Sequence, residues 1–162
     1  MQREIDRKLV AVRTLVFQDE QVLLVGHRSP KTGRVWWMAP GGLVNRAEPA
    51  MEAAVREVKE ESGLDVETDG PVYWLEWVWE KSYCLELYLL GKVKGGRLTV
   101  GSDPELDEGQ QQIFDARFFE LNELQNYPVY PKVFRTLLAE HWRQGFPTGA
   151  MYLGVDKPDL PR

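Results

Sequence analysis

The stretch from Pro49 to Gly63 constrains this chain more than any other, because a helix with both ends marked is the one conformation that suits all of it. Proline fits the first turn, strong helix formers fill the interior, and Gly63 stands at the C-terminal cap position. At about 100° per residue, Met51, Ala54, Val55 and Val58 fall on one stripe, the face expected to pack on a sheet. Glu52, Arg56 and Lys59 fall opposite, toward water. Glu57, Glu60 and Glu61 form a third sector beside the small residues Ala50 and Ala53.

A solvated charged face is the ordinary reading of such a helix, and Glu52–Arg56 has the favourable i, i+4 order for it. It leaves the third sector unexplained. Glu57–Glu60 and Glu57–Glu61 are like-charge pairs costing about 0.2–0.5 kcal/mol each, and they lie toward the end where the helix dipole disfavours anions. A cation is expected there. Mg²⁺ suits the oxygen donors, with Mn²⁺ as an alternative. Ala39-Pro40-Gly41-Gly42, just upstream, ends any regular element and lets backbone approach a metal or substrate closely.

Around this unit the pattern is mostly extended. Leu9 to Phe17 and Gln21 to Val25 read as a hairpin turning at Gln18-Asp19-Glu20, and Trp36-Trp37-Met38 as a short apolar run. Val72 to Trp79 and Tyr83 to Val93 read as a second hairpin, followed by a short strand at Arg97 to Val100, an acidic loop from Gly101 to Gln112 and a strand at Ile113 to Phe119. Pro131 to Gln144 carries helical spacing, and the Gly- and Pro-rich tail from about residue 145 reads as loosely ordered. With 162 residues, 43% of them hydrophobic, one α/β domain spanning 1–162 is expected, a mixed sheet covered by helices.

Composition limits the partners. The net charge is −5 and no long basic run is present, which argues against extended nucleic acid and leaves a small anionic substrate bridged to the protein's acids by metal. Cys84, the single cysteine, sits in an apolar run and reads as core. Neither an apolar leader nor a membrane-spanning run is seen, so a reducing cytoplasm and no membrane association are expected.

Gly42, five residues, Glu48, seven residues, then Arg56-Glu57-Val58-Lys59-Glu60-Glu61-Ser62-Gly63-Leu64 resembles the Nudix box of MutT-like hydrolases, with no departure at a fixed position. The flanking Ala39-Pro40-Gly41-Gly42 and the late Arg117-Phe118-Phe119 segment fit as well. The resemblance implies an α/β/α sandwich and Mg²⁺-dependent cleavage of a phosphoanhydride. Carried over residue by residue, it makes Glu57 and Glu61 the main metal ligands, with Glu60 assisting as a ligand or by placing water, and Arg56 orienting the acids. Glu48 and Gly63 would hold the loop–helix–loop shape, and the Gly41 or Gly42 carbonyl would reach the metal. One departure stands out: where the family often has a further glutamate before the Arg-Phe-Phe-like strand, this chain has Gln112. Glu108 is the favoured substitute, ahead of Asp107 and Glu105, and all three read equally well as solvated loop acids.

Specificity lies outside the box. Tyr73, Leu75, Trp77 and Trp79 alternate onto one strand face, as core or as a stacking surface for a base, and His27-Arg28 ends a strand where phosphate could bind. Glu76 and Glu86 flank the second hairpin and read as surface acids, or as a facing pair at the metal cleft. The array of the NADH-cleaving subgroup is missing, and Trp79-Glu80 stands where ADP-ribose hydrolases tend to have proline. Nucleoside di- and triphosphates and nucleotide sugars fit best, with dinucleoside polyphosphates as the alternative, Tyr83 lying near the tyrosine associated with them. A non-catalytic nucleotide sensor is a further reading, disfavoured by the intact box; an isopentenyl diphosphate isomerase is another, disfavoured because it would rely on Cys84, which sits in an apolar strand, and on a longer chain. The resemblance also leaves a homodimer open.

Overall fold

The computed structural model of the chain describes residues 7–79, 81–102, 104 and 112–156. Among the described residues eight strands share one mixed sheet: β1 (Arg7–Gln18), β2 (Gln21–Arg28), β3 (Val35–Met38), β4 (Gly41–Leu43), β5 (Leu64–Val78), β6 (Ser82–Gly96), β7 (Ile113–Glu120) and β8 (Met151–Asp156). The main path runs β3-β2-β1-β6-β5-β8, while β4 pairs with β1 and β7 with β2. The β1–β6 and β5–β8 pairs are parallel; the others are antiparallel.

Helices cover both faces, as an α/β/α sandwich requires. Alternation along β1 decides which face each residue serves. Val12 and Val16 pack under helix α1 (Ala50–Ser62) with Ala53, Ala54, Val58 and Leu89. Ala11 and Leu15 point the other way, into a larger core closed by helix α2 (Phe134–Gln144), whose Phe134 and Leu138 are fully buried. Burial of each such side chain contributes about 1.5–3 kcal/mol. Among the described residues no helix is long and apolar enough to cross a membrane.

Helix α1 begins after Pro49 and ends at Gly63, whose φ of 74° is the left-handed cap that a side chain there would strain. Arg97 to Val100, expected as a strand, forms no ladder. Thr99, Gly101 and Ser102 instead donate backbone N–H groups to the carbonyls of Ser62, Glu61 and Glu60. The last turn of a helix leaves carbonyls without partners, and this segment supplies donors to them. Two other expectations change at the edges of elements. Met51 is exposed, because it lies on the first turn of α1, outside the apolar clusters that Ala53, Ala54 and Val58 join. Helix α2 starts at Phe134 rather than Pro131.

The tail is ordered through β8, where Tyr73, Trp74, Glu76 and Trp77 of β5 pair with Met151, Tyr152, Val155 and Asp156, and Trp74 stacks on Tyr152 at 4.2 Å. Similarly, Gly41-Gly42-Leu43 is not a free loop. It adds strand β4 to β1, with Gly42 opposite Val12. That pairing fixes the start of the box against the centre of the sheet.

Candidate active site

Helix α1 carries its acids on the edge that meets β4. Glu61 is 5% exposed, and its Oε2 accepts the Gly41 N–H at 2.9 Å. Glu57 presses its carboxylate against Gly42: a Cβ on that glycine would stand 2.7 Å from Glu57 Oε1. Burial pushes the Glu57 pKa up, and Arg56 opposes that shift only in part.

Arg56 is not in solvent, as the helical sectors implied. Its Nε and Nη2 form a two-pronged bond to Glu48, at 2.7 and 3.0 Å, while Nη1 reaches Glu57 at 2.8 Å and Glu60 at 3.0 Å. Glu48 also accepts the Asn45 N–H at 3.0 Å. The guanidinium, its charge fixed above all by Glu48, therefore ties the loop to the helix and supplies the cationic partner that the acid cluster had seemed to lack.

Among the described residues no three His, Cys, Asp or Glu side chains stand together as a ready cage. Yet the donors are all oxygen, the Glu57 carboxylate is under-compensated, and Gly42 leaves beside it a space that a Cβ would fill. That set fits a hard divalent ion which keeps waters in its shell. Gly41 O is engaged by Arg13 Nη1 at 3.4 Å. Glu108, with Asp107 and Glu105, lies outside the described residues.

Gly42→Ala follows from this geometry. The group met by the new methyl is the mobile end of Glu57, so the fold should melt within a few degrees of wild type while the carboxylate is displaced. A misplacement of about 1 Å costs on the order of 10²-fold in rate. Gly41→Ala would meet Val12 O at 2.1 Å and should lower the melting temperature instead. Thermal melts beside turnover of any cleaved substrate separate the two; equal activity of Gly42→Ala and wild type would disprove the placement of Glu57.

Beyond Gly42 and Leu43 opens a cleft of about 290 Å³. Trp36, Trp77 and Trp79 line it, and Trp77 and Trp79 stack at 6.5 Å. His27 lines it as well, stacked on Trp36 at 5.5 Å, with Nε2 buried and no protein group bonded to it. Burial, aided by the Arg13 charge, pushes the His27 pKa down to about 3, so the ring is neutral. Arg28, the next residue, faces away: it is exposed, with its guanidinium 4.9 Å from the Phe114 ring. Gln112 lines the cleft.

One residue escaped the sequence reading, and a second lies elsewhere than its surface reading implied. Arg13 lies buried at the floor of the cleft, donating through Nε to Glu86 Oε2 at 3.0 Å and through Nη1 to Ala39 O at 2.9 Å. Burial alone would lower its pKa; Glu86, Tyr88 and Glu61 outweigh that and raise it. Glu86 is 3% exposed, not a surface acid, and its Oε1 accepts the Tyr88 hydroxyl. Glu76 sits on the opposite face of the sheet, accepting from Tyr83 and Tyr152. Cys84 is buried core, its thiol pushed up to about 12 mainly by burial, which removes it as a nucleophile.

Comparison with known proteins agrees with this arrangement. The family model described as NUDIX domain matches residues 7–151. An ADP-ribose pyrophosphatase of Methanocaldococcus jannaschii is 29% identical over 140 residues, covering 84% of this chain and 75% of that protein. An RNA pyrophosphohydrolase of Gluconacetobacter diazotrophicus is 29% identical over 157 residues, covering 82% and 90%. Among solved structures, a NUDIX hydrolase from Nitrosomonas europaea superposes with a TM-score of 0.67 at 21% identity, over 93% of this chain and 79% of that one, a likeness of fold. The box, the fold and a family match over nearly the whole chain converge: this chain belongs to the NUDIX domain family and is a hydrolase of phosphoric anhydrides.

Proposed function

We propose that the chain is a Mg²⁺-dependent pyrophosphohydrolase that cleaves the phosphoanhydride bond of a nucleoside diphosphate derivative, either a nucleoside di- or triphosphate or a nucleotide sugar. The observation that carries this reading is the shared position of Gly42: it lines the aromatic cleft and touches the Glu57 carboxylate. A substrate with its organic part in the cleft thus presents its phosphates to the acidic edge of α1. The names of the two relatives, an ADP-ribose pyrophosphatase and an RNA pyrophosphohydrolase, belong to the same class of chemistry.

Glu57 and Glu61 would hold the metal, with Glu60 as a further oxygen donor. When bound, the ion neutralises phosphoryl charge and lowers the pKa of water. Arg56 keeps the acids in place through Glu48, so the edge does not collapse outward into solvent. Glu61, fixed by the Gly41 N–H, has its carboxylate held at the sheet end of the site, where it can position water. Glu108 is proposed as the further acid.

Incubation with nucleoside di- and triphosphates, nucleotide sugars, ADP-ribose and dinucleoside polyphosphates, with chromatography of the products, tests the reading. Cleavage of at least one nucleoside diphosphate derivative in Mg²⁺ or Mn²⁺, abolished by EDTA, is expected. Turnover that EDTA leaves unchanged would defeat the metal assignment, and turnover of dinucleoside polyphosphates alone would transfer the substrate assignment to them.

A further inference from the structure

The polar groups of the cleft are unequally committed. Glu86 spends both carboxylate oxygens on Arg13 and Tyr88, and the Arg13 guanidinium is held by Glu86 and by the carbonyls of Ala39 and Gly41. His27 is different. Its ring is fixed by the stack on Trp36, and its Nε2 is buried without a protein partner in a structure that pairs nearly every other buried side-chain polar atom described. Buried polar atoms left unpaired by the protein are uncommon, and one on a residue that lines a cleft gains its missing partner when a ligand displaces the side chains that cover it.

The surroundings restrict what that ligand can be. Trp36, Trp77 and Trp79 bring flat aromatic rings to the wall, with Met38 as an apolar neighbour, a lining that favours a planar ring. A phosphate at this point would need a free positive charge, and His27 offers none, because burial and Arg13 keep it neutral. A neutral imidazole nitrogen donates or accepts a single hydrogen bond according to tautomer, which matches the edge of an uncharged heteroaromatic ring.

We propose that His27 determines substrate specificity: Nε2 hydrogen-bonds the ring edge of a nucleobase seated against the tryptophans of the cleft, with the phosphates directed past Gly42. This assignment rests on the nucleotide reading above, and it replaces the phosphate-binding role that the sequence suggested for His27. Gln112, which also lines the cleft, carries both a donor and an acceptor in its amide.

Binding can be measured without catalysis, since three tryptophans line the cleft and report its occupancy by fluorescence. Metal-free protein is titrated with AMP, GMP, CMP, UMP and ribose 5-phosphate. At least one nucleotide should bind ten times more tightly than ribose 5-phosphate. His27→Phe keeps a ring against Trp36 but loses the nitrogen, and should weaken that nucleotide roughly five- to tenfold. His27→Asn, which retains a polar edge, should bind more tightly than His27→Phe, and melting curves confirm that both variants fold. Equal binding of ribose 5-phosphate, or unchanged affinity in folded His27→Phe, would overturn the proposal. Selective nucleotide binding by a wild type that hydrolyses nothing would uphold it while defeating the proposed reaction; hydrolysis without base selectivity would do the reverse.

Discussion

Glu61→Gln is expected to fold like wild type and to lose roughly 10²–10⁴-fold in turnover, the range for removing a group that positions or deprotonates an attacking water. The substitution keeps the volume of a side chain that is only 5% exposed, and the amide oxygen can still accept the Gly41 N–H. What disappears is the negative charge. The same change at Glu60 should cost less, because Glu60 is 27% exposed at the side chain and paired with Arg56. Glu57, 12% exposed and pressed on Gly42, should fall between them. Turnover with saturating Mg²⁺, alongside melting temperature, gives the ranking. If Glu60→Gln proves the most damaging of the three, the acidic edge has been assigned in the wrong order.

That ranking could not be taken from the helix pattern alone. Periodicity placed Glu57, Glu60 and Glu61 together because the rotation per residue is a local property of the chain, and the caps at Pro49 and Gly63 are local too. Burial depends on what the helix meets. Only the pairing of β4 with β1 brings Gly41 and Gly42 against Glu61 and Glu57, and makes those two acids differ from Glu60. Arg56 departs from its sector for a related reason: a long side chain leaves its nominal sector when three carboxylates offer better partners than water.

The cleft was legible in fragments. Alternation put Trp77 and Trp79 on one face correctly, since period two is local, and both line the cleft. The carboxylates of the same hairpin were not resolved. Glu86 pairs with Leu75, and Glu76 with Leu85, so the two acids are one residue out of register and lie on opposite faces. Nothing in a three-residue turn fixes that offset by composition. Strand β8 was missed because its Gly- and Pro-rich surroundings read as a loop, and its ladder depends on β5, distant in sequence. Arg13 had a signal: it is a lone charge between the core-facing alternates Ala11 and Leu15, and such a charge requires a partner. Its partner lies 73 residues away, where alternation cannot point.

That long-range pair carries the second large effect. Arg13 and Glu86 have side-chain exposures of 12% and 4%, with Tyr88 completing the carboxylate's bonds. Glu86→Ala leaves the guanidinium buried without its counter-charge, and removal of one member of a buried pair costs about 3–5 kcal/mol. For a chain of this size that corresponds to a melting temperature lower by roughly 6–20 °C. Arg13→Met, Glu86→Leu and Tyr88→Phe together remove both charges and the hydroxyl that would lose its acceptor. This triple variant should regain most of the lost stability, because an apolar replacement of a whole buried pair is close to neutral. It should not regain activity: Arg13 also donates to Ala39 O and Gly41 O, and without it the backbone entering the box loses the groups that hold it against the sheet. Stability restored while turnover stays low would identify Arg13 as the positioning residue of that loop. If Glu86→Ala melts with wild type, the buried charge pair is wrong; if the triple variant recovers activity along with stability, the pair serves the fold alone.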